Sequence, residues 1–260
     1  MKLDELEVRM RAYESAHDLQ VPPEMFIVAR LDGRSFSRLP QEVRPFEAPF
    51  DPEFRDMMIA TGEHLMQCGF RVVYGYTQSD EICVVLHREE SAYGHKLRTL
   101  DSAMAGEASA KFSVLLGHPA SFDCRISQLP GIELIVDYLV WRFLDAHRNA
   151  LNVHTYWALR RMGQSRRETL KRLDSLSAEE KTDLLHFKAG IDFDALPLWQ
   201  RRGIGLYWLD LPEDGREVDP KKPARAHRRR IVHEASLPEV DEYAQFVHQI
   251  LYKEHMDRLP

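Results

Sequence analysis

Two acidic stretches, Asp32-Gly33-Arg34 and Ser79-Asp80-Glu81, stand where apolar strand-like runs give way to turns. Phe26 to Leu31 is short and apolar, which predicts a strand ending in a carboxylate followed at once by glycine. Arg71 to Tyr76 and Ile82 to Leu86 predict two more strands, joined by Thr77 to Glu81, so the second carboxylate falls at a hairpin tip. Like charges buried close together resist ionisation unless a cation lies between them, and oxygen ligands without a nearby histidine suit magnesium rather than zinc. The same residues also suit an ordinary turn and a polar hairpin loop, and spacing alone leaves both readings open.

The elements that must position these acids follow from periodicity. Residues 3 to 17 carry Leu3, Leu6, Met10 and Tyr13 at helical spacing and are expected to pack across the domain, with Pro22-Pro23 closing the helix. Asp51-Pro52 announces a helix that stops at Gly69. A second helix is expected from about Tyr93 to Leu116, and Phe122, Cys124 and Ile126 alternate with polar residues in a further strand. Strand, helix, hairpin, helix, strand is an α+β layout of ferredoxin-like type: an antiparallel-rich sheet with helices on one face, the palm topology of nucleotide polymerases and cyclases. Fold analogy alone does not assign a function.

Beyond residue 131 the pattern changes. Ile132 to about Gly163 predicts one long helix on which Leu139, Phe143, His147 and Leu151 share a face. Ser177-Ala178-Glu179-Glu180 has capping-box spacing and opens a helix to about Phe187. Gly203 to Leu211 and Arg229 to Ala235 predict a strand pair, and Pro238 to Leu251 a last amphipathic helix. Residues 1–130 thus form a palm-like core, and 131–260 a helical and β-hairpin extension packed on it, in one globular unit.

Composition narrows the setting. At 260 residues and 44% hydrophobic content the chain can bury a real core. No apolar run reaches the ~20 residues of a membrane helix, and the acidic start does not suit a signal peptide, so the expectation is a cytoplasmic protein with no membrane partner. Cys68, Cys83 and Cys124 are read as reduced core residues. A net charge of -6 argues against a generally basic nucleic-acid binder, with two local exceptions: Arg160, Arg161, Arg166, Arg167, Lys171 and Arg172, and the run from Lys221 to Arg230.

Arg30-Leu31-Asp32-Gly33-Arg34-Ser35-Phe36, Tyr76-Thr77-Gln78-Ser79-Asp80-Glu81 and Phe122-Asp123-Cys124-Arg125 resemble three consecutive signatures of the tRNA(His) guanylyltransferase family of 3′-to-5′ polymerases. Asp137-Tyr138-Leu139-Val140-Trp141-Arg142, followed by His147, Asn149 and Trp157, is similar to a fourth, and the resemblance spans about residues 10 to 210.

The resemblance implies a magnesium-dependent nucleotidyltransferase that adds a guanylate to the 5′ end of tRNA(His). ATP activates the 5′ phosphate and the GTP 3′-hydroxyl then attacks it. Two magnesium ions about 4 Å apart suit such a transfer. It implies Asp32, Asp80 and Glu81 as catalytic residues, Asp32, Gly33 and Asp80 as metal ligands, and Asp32, Gly33, Arg34, Ser35, Phe36, Ser37, Ser79 and Asp80 as nucleotide-binding, with Glu81 orienting its neighbours. His147, Asn149, Lys181 and Arg201 fall where the family engages tRNA, and a homotetramer is the implied assembly. Ala48 and Ser37 depart from the family's eukaryotic branch, and Arg148 to Val153 keeps part of its asparagine-rich motif. The alternatives are templated 3′-to-5′ repair of truncated tRNA 5′ ends, a palm-type nucleotide cyclase, and a non-catalytic tRNA-binding protein.

Overall fold

The structure, a computed structural model, describes residues 3–211 and 229–256. In chain order its elements are α1 (Leu3–Glu14), β1 (Phe26–Gly33), α2 (Leu39–Glu42), α3 (Pro52–Gln67), β2 (Val72–Gln78), β3 (Glu81–Leu86), α4 (Leu97–Leu116) and β4 (Phe122–Leu129). There follow α5 (Ile132–Arg161), α6 (Arg166–Ser175), α7 (Ala178–Ala189), α8 (Leu198–Arg202), β5 (Ile204–Asp210), β6 (Arg229–Glu234) and α9 (Val240–Met256). Lys221, Lys222, Arg225 and Arg228 of the second basic run lie outside the described residues.

The six strands form one sheet in the order β4-β1-β3-β2-β5-β6, every neighbouring pair antiparallel. Strand alternation sends Ile27, Ala29 and Leu31 of β1 to one face, where α3 and α4 cover them through Met58, Leu65, Met104 and Phe112. Phe26 and Val28 point to the other face, against Ile135, Leu139 and Phe143 of α5 and Tyr243, Val247 and Leu251 of α9. The α+β palm is therefore present with its two helices on one face, and the extension's helices close the other. The extension's hairpin is continuous with the palm, because β5 pairs with β2 from Tyr74↔Tyr207 to Thr77↔Ile204.

Local chemistry fixes the ends of the elements. The Asp51 carboxylate accepts from the Phe54 amide at 2.9 Å and Pro52 supplies the first helical residue, so α3 starts where the sequence says. Both Ser165 with Glu168 and Ser177 with Glu180 close capping boxes, which gives a helix, α6, that the sequence reading passes over as a basic run.

Three further boundaries differ. β1 runs on through Asp32 and Gly33 because β3 and β4 both pair with it there. The hairpin loop narrows to Ser79 and Asp80. A short turn with left-handed Tyr93, Gly94 and His95 delays α4 to Leu97. The expectation that the first helix packs across the domain fails: α1 has no buried residue, and Leu3, Val8 and Tyr13 are exposed. Periodicity marks an apolar face without saying what covers it.

Candidate active site

Register brings the acids together. Asp32 stands opposite Glu81 on β3 and Asp123 on β4, and Glu81 stands opposite Gln78 on β2. Directly opposed residues share a face, so these four side chains form a row across the sheet end on the side covered by α5. Asp80 follows at the hairpin tip, where Ser79 takes a φ of 53° and the Gly33 amide donates to the Asp80 carbonyl at 2.9 Å. That bond ties the end of β1 to the loop.

Helical spacing supplies the facing wall. Arg142, Asp145, Asn149 and Asn152 recur at three and four residues along α5, one stripe of the helix. With Phe50, Arg30, Asp32 and Gln78 to Glu81 they line a cleft of about 510 Å³.

Charges in the cleft are unequally compensated. Both Glu81 oxygens accept from Arg142, Nε to Oε1 at 2.8 Å and Nη2 to Oε2 at 2.6 Å, and Arg142 also donates to Asp145 at 2.9 Å. Burial raises the Glu81 carboxyl and the arginine pulls against that rise. Arg30 Nε donates to Asp32 at 3.1 Å and lies 3.9 Å from Glu81. Asp80 has a weaker partner, the Ser79 hydroxyl at 3.2 Å. Burial raises its carboxyl, and the neighbouring Asp32 charge raises it further. A desolvated carboxylate beside a second one fits a divalent cation, and magnesium typically takes one or two protein carboxylates with substrate phosphates completing its shell.

The loop after β1 divides its roles. Phe36 is 6% exposed among Phe54, Phe112 and Phe122, so its ring anchors the core and only its backbone can face a nucleotide. A Cβ on Gly33 would meet that ring at 2.4 Å, which is why glycine is needed there. The Arg34 amide donates to the Ser121 carbonyl at 2.8 Å, so it is used by the sheet edge. Arg34, Ser35 and Ser37 are exposed beside it.

The four residues expected at tRNA separate into two places. Asn149 lines the cleft and donates weakly to Asp145 at 3.4 Å, while Lys181 Nζ donates to Asn152 at 2.9 Å at the cleft edge. His147 instead stands edge-on to Phe193 at 5.3 Å, where burial and then the Arg201 charge lower its pKa. Arg201 is 6% exposed and turned inward, giving Nη2 to the Asp194 carbonyl at 2.6 Å, Nη1 to the Asp194 carboxylate at 3.3 Å and Nε to the Leu196 carbonyl at 3.3 Å. It braces the turn before α8. Arg30, Gln78 and Arg142, which sequence marks only as members of the signature runs, and Asp145, which it does not mark, are also cleft residues. Gln78 Nε2 is buried with no protein partner among the described residues, a donor free for a ligand.

An antiparallel palm sheet with two carboxylates at its open end and a polar cleft above them defines a palm-type nucleotide-handling class of protein. Residues 7–130 match the family model described as tRNAHis guanylyltransferase, and residues 133–250 match the one described as Thg1 C terminal domain. The chain belongs to the tRNA(His) guanylyltransferase family.

It is 28% identical to tRNA(His) guanylyltransferase 1 of Arabidopsis thaliana over 74% of this chain and 35% of that one, about a third of that relative's length. A probable tRNA(His) guanylyltransferase of Bos taurus is 26% identical over 91% of this chain and 83% of its own. Among solved structures, a bacterial tRNA(His) guanylyltransferase (Thg1)-like protein in complex with GTP superposes with a TM-score of 0.74 at 23% identity, covering 95% of this chain and 99% of its own. The ATP complex of such a protein gives 0.76 at 22% identity with the same coverage. At those identities the superpositions establish the fold. Among the described residues, no helix is long and apolar enough to cross a membrane.

Proposed function

We propose that this chain is a magnesium-dependent nucleotidyltransferase that adds a guanylate to the 5′ end of tRNA(His), ATP activating the 5′ phosphate before the GTP 3′-hydroxyl attacks it. The observation that carries the reading is the pairing of Asp32 with a half-buried, weakly partnered Asp80 at the mouth of one cleft. Asp32, Asp80 and the Gly33 carbonyl would hold the magnesium ions, whose chemistry when bound is to neutralise phosphate charge and acidify the attacking hydroxyl.

The protein's own groups do the positioning. Gln78 and Ser79 offer a hydrogen-bond donor and a hydroxyl to the nucleotide, and the loop from Ser35 to Ser37 offers backbone amides to its phosphates. Glu81 stays bound to Arg142 and orients the row. The exposed Arg166, Arg167, Lys171 and Arg172 of α6 suit the tRNA backbone, which they would position without reading its sequence. The assembly that the family implies is a homotetramer.

The test incubates 5′-monophosphorylated tRNA, full length and 5′-truncated, with ATP, GTP and magnesium. A product one guanylate longer on full-length tRNA(His) supports the proposal. Extension of truncated tRNAs alone moves the assignment to templated repair, the reading favoured by the departures at Ala48 and in the Arg148 to Val153 segment. Cyclic nucleotide made without RNA assigns a cyclase, and tight RNA binding with no extension of any tRNA overturns catalysis.

A further inference from the structure

A second cluster of donor side chains lies away from the cleft, between the two helices that cover the opposite face of the sheet. His64 and Cys68, at i and i+4 on and just beyond the last turn of α3, project from the same side of the helix. Glu107 of α4 stands opposite. His64 Nε2 is 2.7 Å from Glu107 Oε2, and one donor atom from each of the three residues lies within 4.8 Å of the others. Among the described residues this is the one such grouping of three histidine, cysteine or acidic donors. All three are half-buried, and the His64 and Glu107 side chains keep 33% and 43% of their exposure, so a path from solvent and room for a further ligand exist.

The cluster is independent of the proposed transfer chemistry. Cys68 marks the point where α3 hands over to β2, and Asp80 lies past the other end of that strand, roughly 20 Å along it. The Cys68 thiol makes a long contact to the Leu65 carbonyl at 3.5 Å, a weak bond that a stronger ligand replaces at small cost.

We propose that His64, Cys68 and Glu107 bind a zinc-type divalent transition ion, with one nitrogen, one sulfur and one oxygen ligand and the fourth position open to water. Thiolate and imidazole select such an ion over magnesium, and three protein ligands with one open position is a common tetrahedral arrangement. On binding, the Cys68 S–H bond breaks, its proton passes to buffer and the sulfur–metal bond forms. The thiolate and carboxylate together balance the dication, and the ion staples α3 to α4.

The test titrates the full-length reduced protein with cobalt(II) in excess magnesium, reading the near-ultraviolet thiolate-to-cobalt absorption. The expected result is one equivalent of cobalt, displaced by zinc, with the band abolished in Cys68→Ser and affinity reduced at least tenfold in both His64→Gln and Glu107→Gln. Asp80→Asn should leave the band unchanged, which separates this site from the cleft. No thiolate band, the same band in Cys68→Ser, or unchanged affinity in both His64→Gln and Glu107→Gln would overturn the proposal and leave a plain His64–Glu107 interhelical bond. If Cys68→Ser does not fold, the other two variants still decide.

Discussion

Arg142 and Glu81, 61 residues apart in sequence, form a two-pronged ion pair at 2.8 and 2.6 Å with both side chains nearly buried. The pair joins α5 to the acidic row, so it holds the cleft's two walls in register. Arg142→Met leaves the Glu81 carboxylate buried without its partner and should cost about 3–5 kcal/mol in urea unfolding. Adding Glu81→Leu should restore most of that loss, since the pair is replaced rather than broken. A cost under about 1 kcal/mol for Arg142→Met would show that Glu81 does not depend on this contact.

Asp80 should trade stability for cation binding. An acid whose pKa is raised by folding is most stabilising in its protonated form, and that contribution is lost as pH rises through the raised value. At neutral pH Asp80→Asn should therefore raise the metal-free Tm by a few degrees, and the two proteins should converge at pH values below the carboxylate range. Magnesium should then raise the Tm of the wild type and leave that of Asp80→Asn almost unmoved. A variant less stable than wild type at neutral pH would contradict a raised Asp80 carboxyl.

Gly33 and Phe36 should behave as one unit. The 2.4 Å approach of a Gly33 Cβ to the Phe36 ring forces that ring out of its cluster with Phe54, Phe112 and Phe122. Gly33→Ala should cost about 1–3 kcal/mol by overpacking and weaken GTP binding, measured by calorimetry. Phe36→Leu beside it should recover part of the stability, and purely additive losses would mean the two residues do not share the space.

The α6 charges should act on RNA alone. Converting Arg166, Arg167, Lys171 and Arg172 to glutamate touches exposed side chains, so the Tm should stay within about 2 °C. Affinity for tRNA should fall, and the slope of log affinity against log salt should flatten by up to about one unit for each phosphate that is no longer neutralised. An unchanged slope would place the tRNA on another face.

The acidic ends of the cleft were legible because they are local. An apolar run, a carboxylate and a glycine announce the end of β1, and the hairpin is read from two apolar runs around a polar gap. The capping box at Ser177 was legible for the same reason, and the equal signal at Ser165 is masked by the basic residues around it. What escaped depends on how the chain turns in space. Arg201 reaches back only five and seven residues, to Leu196 and Asp194, but no periodicity marks that turn, and nothing near Cys68 in sequence says that Glu107 lies across the helix interface. The amphipathic pattern of α1 is real, yet its apolar side faces solvent.

One paired measurement tests whether Asp32 and Asp80 serve catalysis rather than RNA binding or folding. Extension of 5′-monophosphorylated tRNA by GTP is compared among wild type, Asp32→Asn and Asp80→Asn, with tRNA affinity read on the same preparations. Extension should fall by about a thousandfold or more in each variant while affinity stays within about twofold. Extension at the wild-type rate in either variant, or an equal loss of affinity and extension, would contradict a catalytic role for the pair.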